Sequence, residues 1–294
     1  MKILVTGGAG FVGTNLVKRL VKDGHTVISV DNYSTGFREN HQKGVNYVDL
    51  DIRNTWGTLE SFPNMDGKID VIFHLAALPR IGPSFTNPKE VCDVNVNGTQ
   101  NVLEYAKEHN TPVIYAGSSS FWGGVYKNPY TFSKWQGEEL CKMYEMIYEL
   151  NVTICRFYNV YGDYMPRDGE YRTLIPIFLQ QYRAGESLTI TGDGEQRRDF
   201  THVDDIIDAM IKVFQLNKWG SVYELGRGEN HSINEVAEMF RFGKLPHDTP
   251  PIKYIDSIPG EVRNTLCKSE LARKKLNWNP TINLKDWITE EINK

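Results

Sequence analysis

Short apolar runs alternate with segments of helical period through the first half of the chain. Lys2–Thr6 is largely apolar and runs into glycines. Behind it, Leu16, Val17, Leu20 and Val21 recur at helical spacing, and Gly24 stands where that helix would stop. His25–Asp31 is rich in β-formers and ends in an acid. Asn46–Val48, Asp70–Leu75, Pro112–Ala116 and Val152–Phe157 read as further strands, while Pro88–His109 and Ser133–Leu150 read as helices. Strands that alternate with helices predict an α/β fold, a doubly wound parallel sheet with right-handed crossovers. After Gly162 the texture changes: Tyr164–Tyr171 is polar, and glycine turns fall at Gly192–Gly194 and Gly226–Gly228. A smaller C-terminal α/β cap over residues 161–294 is expected, against a main domain over 1–160 to which the chain returns near 200–226.

Composition narrows the function. The chain has 294 residues, with 33 Lys+Arg against 37 Asp+Glu and a net charge of −4. That balance lacks the basic footprint of a nucleic-acid protein, so no nucleic-acid partner is expected. No apolar run approaches the ~20 residues that span a bilayer, and the start lacks a signal peptide's apolar stretch. The four cysteines form no CxxC pair and the seven histidines no metal-ligand spacing. The expectation is a cytoplasmic protein with reduced thiols, no membrane contact and no metal.

Two motifs carry chemistry. Gly7, Gly10 and Gly13 follow the first strand and open the first helix, where bare backbone and a helix N-terminus receive a pyrophosphate. Phe11 and Val12 lie inside that turn. Asp31 ends the second strand, 18 residues after Gly13, placed to accept both adenosine ribose hydroxyls and to repel a 2′-phosphate. NAD is therefore the expected cofactor. Asp51 and Ile52 follow the third strand, where the adenine edge would lie. Further on, Tyr130 and Lys134 are four residues apart, on one face of a helix. An ammonium beside a phenol favours the phenolate, so the pair reads as a general base with an electrostatic partner. A hydroxyl from Ser118–Ser120 is placed to share the proton.

Together these segments resemble the extended short-chain dehydrogenase/reductase superfamily, in its nucleotide-sugar epimerase/dehydratase branch, and the likeness runs through nearly the whole chain. Asp31-Asn32-Tyr33-Ser34-Thr35-Gly36 resembles the ribose-binding turn of the UDP-glucose 4-epimerases. His74-Leu75-Ala76-Ala77 resembles the strand end that lines the cofactor, and Asp93–Thr99 the helix in which Asn95 would hold the central strands. Ser118–Gly123 resembles the strand end bearing the catalytic hydroxyl, assigned to Ser118, with Ser119 beside the sugar. Arg156–Gly162 and Gly192–Phe200 resemble segments whose Asn159 and Arg198 contact the sugar diphosphate. The resemblance implies a Rossmann-like sheet, an NAD site that includes Tyr130, Lys134 and Phe157, and a nucleotide-sugar substrate, most simply a UDP-hexose. It also implies a 4-keto intermediate formed with Tyr130 as base, and a homodimer built on the helices near 88–108 and 133–149.

Three departures bear on the reaction. Ser119 and Ser120 stand where dehydratases and decarboxylases carry acids, which favours epimerisation. The segment from Gly123 to Tyr130 is shorter than the family pattern, beside the sugar pocket. Ile258 replaces the first arginine of a C-terminal motif, leaving Arg263 and Arg198 for the diphosphate. The expected activity is a UDP-glucose/UDP-galactose type 4-epimerase. A dehydratase or reductase using the same pair is the alternative, and a non-catalytic NAD- or nucleotide-sugar-binding protein is a further one.

Overall fold

The computed structural model describes residues 1–54, 67–242, 249–257 and 262–294. In chain order the first half forms β1 (Lys2–Thr6), α1 (Phe11–Lys22), β2 (Thr26–Asp31), β3 (Asn46–Asp49), β4 (Val71–His74), α2 (Ile81–Thr86), α3 (Pro88–Cys92), α4 (Thr99–Glu108), β5 (Val113–Ser118), α5 (Pro129–Tyr148) and β6 (Val152–Phe157). The second half forms β7 (Asn159–Tyr161), α6 (Leu174–Ala184), β8 (Leu188–Thr191), β9 (Arg197–His202), α7 (Val203–Gln215), β10 (Val222–Leu225), β11 (Asn230–Ser232), α8 (Ile233–Arg241), β12 (Ile252–Ile255), α9 (Leu271–Leu276) and α10 (Leu284–Ile292).

Seven of these strands make one parallel sheet in the order β10-β6-β5-β4-β1-β2-β3. This is the Rossmann-like, doubly wound arrangement. β1 and β4 are neighbours, and from them the chain winds outward in opposite directions. A crevice opens at the carboxyl ends of the strands at this switch point, the usual ligand site of such sheets. Ile3, Leu4 and Val5 of β1 are fully buried because helices cover both faces. Burying each such side chain contributes roughly 1.5–3 kcal/mol. On one face, Leu4, Ile72 and Val113 pack with Val102 and Leu103 of α4. On the other, Val5, Phe73 and Ile114 pack with Leu16 and Val17 of α1 and Ile206 and Met210 of α7.

Two helices differ from the sequence expectation. Pro88–His109 reads as one helix, but a π-helical turn over Asp93–Gly98 separates α3 from α4. Gly98 faces Ile52 so closely that an added Cβ would lie 2.6 Å from Ile52 Cδ1. Ser133–Leu150 begins earlier, at Pro129, because the Asn128 side chain accepts the Thr131 N–H at 2.8 Å and proline suits the first helical position. Tyr130 therefore lies in the first turn of α5.

The second half contributes to both parts of the molecule. α7 and β10 complete the main sheet, and Ala272, Leu276 and Trp278 join the same apolar cluster. Trp278 Nε1 donates to the Asp205 carbonyl at 2.7 Å, and the Asp205 carboxylate accepts the Thr281 and Ile282 N–H groups. β7, β9 and β11 form a small sheet, and β8 pairs with β12. α6, α8 and α10 close over them around Phe178, Phe240 and Ile288. Asp199, fully buried, accepts the backbone N–H groups of Arg227, Gly228 and Cys267 at 2.9–3.0 Å. It thereby joins β9 to the two loops that border the main sheet's open end.

Candidate active site

The carboxyl end of β5 and the first two turns of α5 bring the proposed acid–base groups together. The Tyr130 hydroxyl donates to Ser118 Oγ at 3.2 Å, and Ser118 Oγ donates to Ser120 Oγ at 2.9 Å. Ser118 Oγ also accepts the Ser120 N–H at 3.2 Å, which fixes its rotamer at the start of a 3-10 turn over Ser119–Gly123. Ser119 is buried inside that turn. Lys134 lies one turn beyond Tyr130, 6% exposed, with its ammonium 4.1 Å over the Tyr115 ring. Burial brings the Lys134 amine down to about 8, against the favourable pull of Glu138. The spacing predicts that the Lys134 ammonium lowers Tyr130. Instead burial pushes the phenol up, opposed first by the hydrogen bond with Ser118 and then by the Arg80 guanidinium.

A buried chain of hydrogen bonds ties this end of α5 to the glycine loop. Thr6 Oγ1 meets His74 Nδ1 at 2.7 Å, and His74 Nε2 meets Thr99 Oγ1 at 2.9 Å. Thr6 Oγ1 already accepts the Leu75 and Ala76 N–H groups, so its proton must go to Nδ1. His74 is then the Nε2–H tautomer, donating to Thr99. Burial, with Lys134 adding to it, lowers the imidazole to about 3, so it stays neutral. Thr99 Oγ1 donates to the Asn95 carbonyl at 2.8 Å. The Asn95 amide takes the Leu78 N–H at 2.8 Å and donates to Ser133 Oγ at 2.9 Å; Ser133 Oγ donates to the Tyr130 carbonyl at 2.8 Å. Asn95 thus clamps the loop after β4 to the turn bearing Tyr130, rather than bridging strands.

The crevice at β1 has the chemistry of a dinucleotide site. Gly7 has φ 73°, and an added Cβ would lie 2.8 Å from the Ala76 nitrogen. At Gly13 it would lie 2.0 Å from the Gly7 carbonyl oxygen. At Gly10 the nearest protein atom would be 3.3 Å away, so close packing within the protein demands glycine at 7 and 13 far more than at 10. Gly10 is the N-cap of α1, without a side-chain cap, and no acid occupies the first turn. The N–H groups of Phe11, Val12 and Gly13 point along that end of the helix, where a pyrophosphate would be received. Asp31 Oδ2 accepts Ala9 N–H at 2.9 Å and Oδ1 accepts Tyr33 N–H at 2.8 Å; each oxygen keeps a further lone pair.

The remaining crevice residues line its rim. The Asn32 amide spans Ser34 N–H and Asp51, and the Arg53 guanidinium holds the Asp51 carboxyl down at about 2. Ser34 and Thr35 form a bend, and Gly36 returns the chain against Ala9 and Asp31. Ile52 packs under Gly98. Leu75, Ala76 and Ala77 follow β4, and Phe157 stands opposite Ser118 in the sheet register.

The expected diphosphate residues sit on the neighbouring arm. Asn159 Nδ2 donates to the Asp199 carbonyl at 3.2 Å and Thr265 Oγ1 at 3.1 Å. Arg198 Nη1 donates to the Arg197 carbonyl, and Arg197 N–H donates to the Arg263 carbonyl, so β9 and the segment bearing Arg263 run side by side. The Arg263 fork grips Asp193 at 2.7 and 2.8 Å, with both side chains more than half exposed. Val262 lies against Gly123, which places this arm beside the serine turn. Ile258 is outside the described residues. The short stretch before Tyr130 is supported from below: Arg156, paired with Glu138 and Glu224, lies 3.9 Å from the Phe121 ring centre, and Trp122 Nε1 donates to Glu224 at 2.7 Å.

Comparison with known proteins agrees with this geometry. Residues 3–226 match the model of the NAD dependent epimerase/dehydratase family. The chain belongs to that family. It is 31% identical to the UDP-glucose 4-epimerase of Mycolicibacterium smegmatis, over 99% of this chain and 97% of the relative. It is equally 31% identical to a UDP-N-acetyl-alpha-D-glucosaminuronate decarboxylase of Bacillus cytotoxicus, over 86% and 83% of the two chains. Among solved structures, the UDP-glucuronic acid 4-epimerase of Bacillus cereus, in complex with UDP-glucuronic acid and NAD, superposes with a TM-score of 0.88. The identity there is 28%, over 100% of this chain and 98% of that one. Like its family, the protein is an NAD-dependent enzyme. The bare Gly10 turn and the doubly available Asp31 carboxylate fit that cofactor.

Arg80, Ser133 and Thr99 were not singled out from sequence. Arg80 follows a proline in an aperiodic stretch, and the other two act through partners distant in the chain.

Two outcomes follow from this geometry. Gly10→Ala should fold at a cost of at most about 1 kcal/mol yet lose most NAD affinity, while Gly13→Ala should lose fold stability first; calorimetric titration with NAD and urea unfolding separate the two. Lys134→Met should stabilise the fold. Lys134 titrates near 8 when folded against 10.5 ordinarily, so the unfolded chain binds more protons between those values. The folded state therefore bears a penalty of about 3 kcal/mol below pH 8 that fades toward 10.5. The stability gain of Lys134→Met should shrink over that window in denaturant titrations at successive pH values.

Proposed function

We propose that this enzyme is a nucleotide-sugar 4-epimerase, acting on a UDP-linked hexose through a transient 4-keto sugar. The observation that carries the reading is the Tyr130–Ser118–Ser120 chain, whose three linked groups are all hydroxyls. A 4,6-elimination needs a group that protonates the departing hydroxyl. Ser119 and Ser120 supply hydroxyls, whose acidity is far too low for that task. A chain of hydroxyls is suited to taking one proton from the C4 hydroxyl and giving it back.

Bound NAD supplies the hydride acceptor and donor at C4. The protein's own part is proton handling and orientation. As the phenolate, Tyr130 accepts the C4 hydroxyl proton and becomes the phenol, whose hydroxyl donates to Ser118 over 3.2 Å. Arg80 and the buried Lys134 ammonium provide positive charge that favours the phenolate, the form of Tyr130 able to take that proton. Arg198 and Arg263 hold the diphosphate in this reading while the sugar turns over, Arg263 exchanging Asp193 for phosphate oxygens. The resemblance to UDP-sugar enzymes supports uridine as the base. UDP-glucose and UDP-galactose are the simplest pair for this chemistry, and the groups beside Tyr130 decide the substituent at C6.

Proton NMR of the purified enzyme with NAD and a panel of UDP-sugars tests the reading. UDP-glucose, UDP-galactose, their N-acetyl forms and UDP-glucuronate belong in the panel. The expected outcome is the anomeric signal of a C4 epimer with no net NADH. Tyr130→Phe should lower the rate by at least about a hundredfold. A 4-keto-6-deoxy product would replace this reading with a dehydratase.

A further inference from the structure

Arg80, at the sugar end of the site, has no counter-ion among the described residues. Its backbone sits just past Leu78, whose N–H and C=O are both held by the Asn95 amide at 2.8 and 3.2 Å. The same amide reaches Ser133, which holds the Tyr130 carbonyl. Arg80 is thus tied through one side chain to the turn that carries the base, and its guanidinium and the Tyr130 phenol act on one another electrostatically. The residue is half-buried, but its Nε is fully enclosed and has no hydrogen-bond partner among the described residues. The other enclosed arginine nearby behaves differently: Arg156 is matched by Glu138 at 2.6 Å and Glu224 at 3.4 Å. An enclosed guanidinium donor with no acceptor costs about 1–3 kcal/mol, more when charged. Such a group calls for an acceptor that arrives with the substrate.

The position of Arg80 narrows what that acceptor is. Tyr130 marks the C4 hydroxyl. The diphosphate has its own cations, Arg198 and Arg263, on the far arm that reaches the site at the Val262–Gly123 contact. An anion near C4 but remote from the diphosphate is a carboxylate carried on C5. We infer that Arg80 receives the C6 carboxylate of a nucleotide-linked hexuronate, so that the enzyme's sugar is an acid rather than a neutral hexose. This rests on the 4-epimerase reading for the placement of C4 at Tyr130. The hydroxyls of Ser119 and Ser120 add neutral donors and no repelling charge near that carboxylate, as an acid at either position would.

Calorimetric binding to the NAD-loaded enzyme tests this without turnover, using UDP, UDP-glucose and UDP-glucuronate as probes. The wild type should bind UDP-glucuronate about tenfold or more tighter than UDP-glucose. Arg80→Gln should erase that preference and leave UDP affinity within about twofold, and Arg80→Lys should keep part of the preference. Equal wild-type affinity for the two sugars would overturn the inference while leaving the epimerase reading standing. So would an Arg80→Gln variant that weakens both sugars alike, because Arg80 would then serve only Tyr130. Loss of UDP binding in Arg80→Gln would place Arg80 on the diphosphate and overturn it as well. Failure of the wild type to bind UDP or either UDP-sugar would overturn the UDP-sugar reading itself.

Discussion

The buried hydrogen-bond chain from Thr6 through His74, Thr99, Asn95 and Ser133 to Tyr130 is the constraint on which the site depends. All five linking residues are almost fully buried, so any broken link leaves a polar group without water, at about 1–3 kcal/mol each. That cost permits one relative placement of β1, β4, the π-helical turn and α5. Thr6 closes the strand that opens the glycine loop, and Tyr130 is the proposed base, so one network positions both the crevice at β1 and the Tyr130 hydroxyl. Neutral His74 suits the middle of the chain because it donates and accepts at once.

The strands were legible in sequence because both faces of the sheet are covered, and a doubly covered strand reads as an unbroken apolar run. β1 and β6 match their expected limits, and the glycine turn falls where strand and helix signals meet. The start of α5 was not legible from apolar periodicity, because Asn128 and Pro129 set it. The π-helical turn was hidden because Val91 before it and Val102 after it, both buried, still fall at a whole number of helical turns in sequence. Trp278 announces nothing locally, yet its indole reaches Asp205 from 73 positions away.

The site was legible as residue types and less so as electrostatics. Tyr130 and Lys134 share the expected helix face, but spacing alone cannot show that the ammonium rests over Tyr115 or that burial dominates the phenol. Nor could sequence pair Arg263 with Asp193, or show that Arg80 Nε is enclosed with no acceptor among the described residues. These follow from tertiary neighbours. The common theme is stored cost: Lys134, Tyr130 and Arg80 all sit where burial disfavours their charged forms. Such groups are kept where function needs them rather than where stability does.

In the proposed reaction hydrogen leaves C4 and returns to C4, with Tyr130 and its hydroxyl chain moving only the hydroxyl proton. Turnover of a UDP-sugar substrate carrying deuterium at C4, followed by proton and deuterium NMR of the product, tests it most directly. The expected product is a C4 epimer that keeps its deuterium at C4, with none in water and none at C6. Deuterium found at C6, or exchanged into solvent, would contradict it.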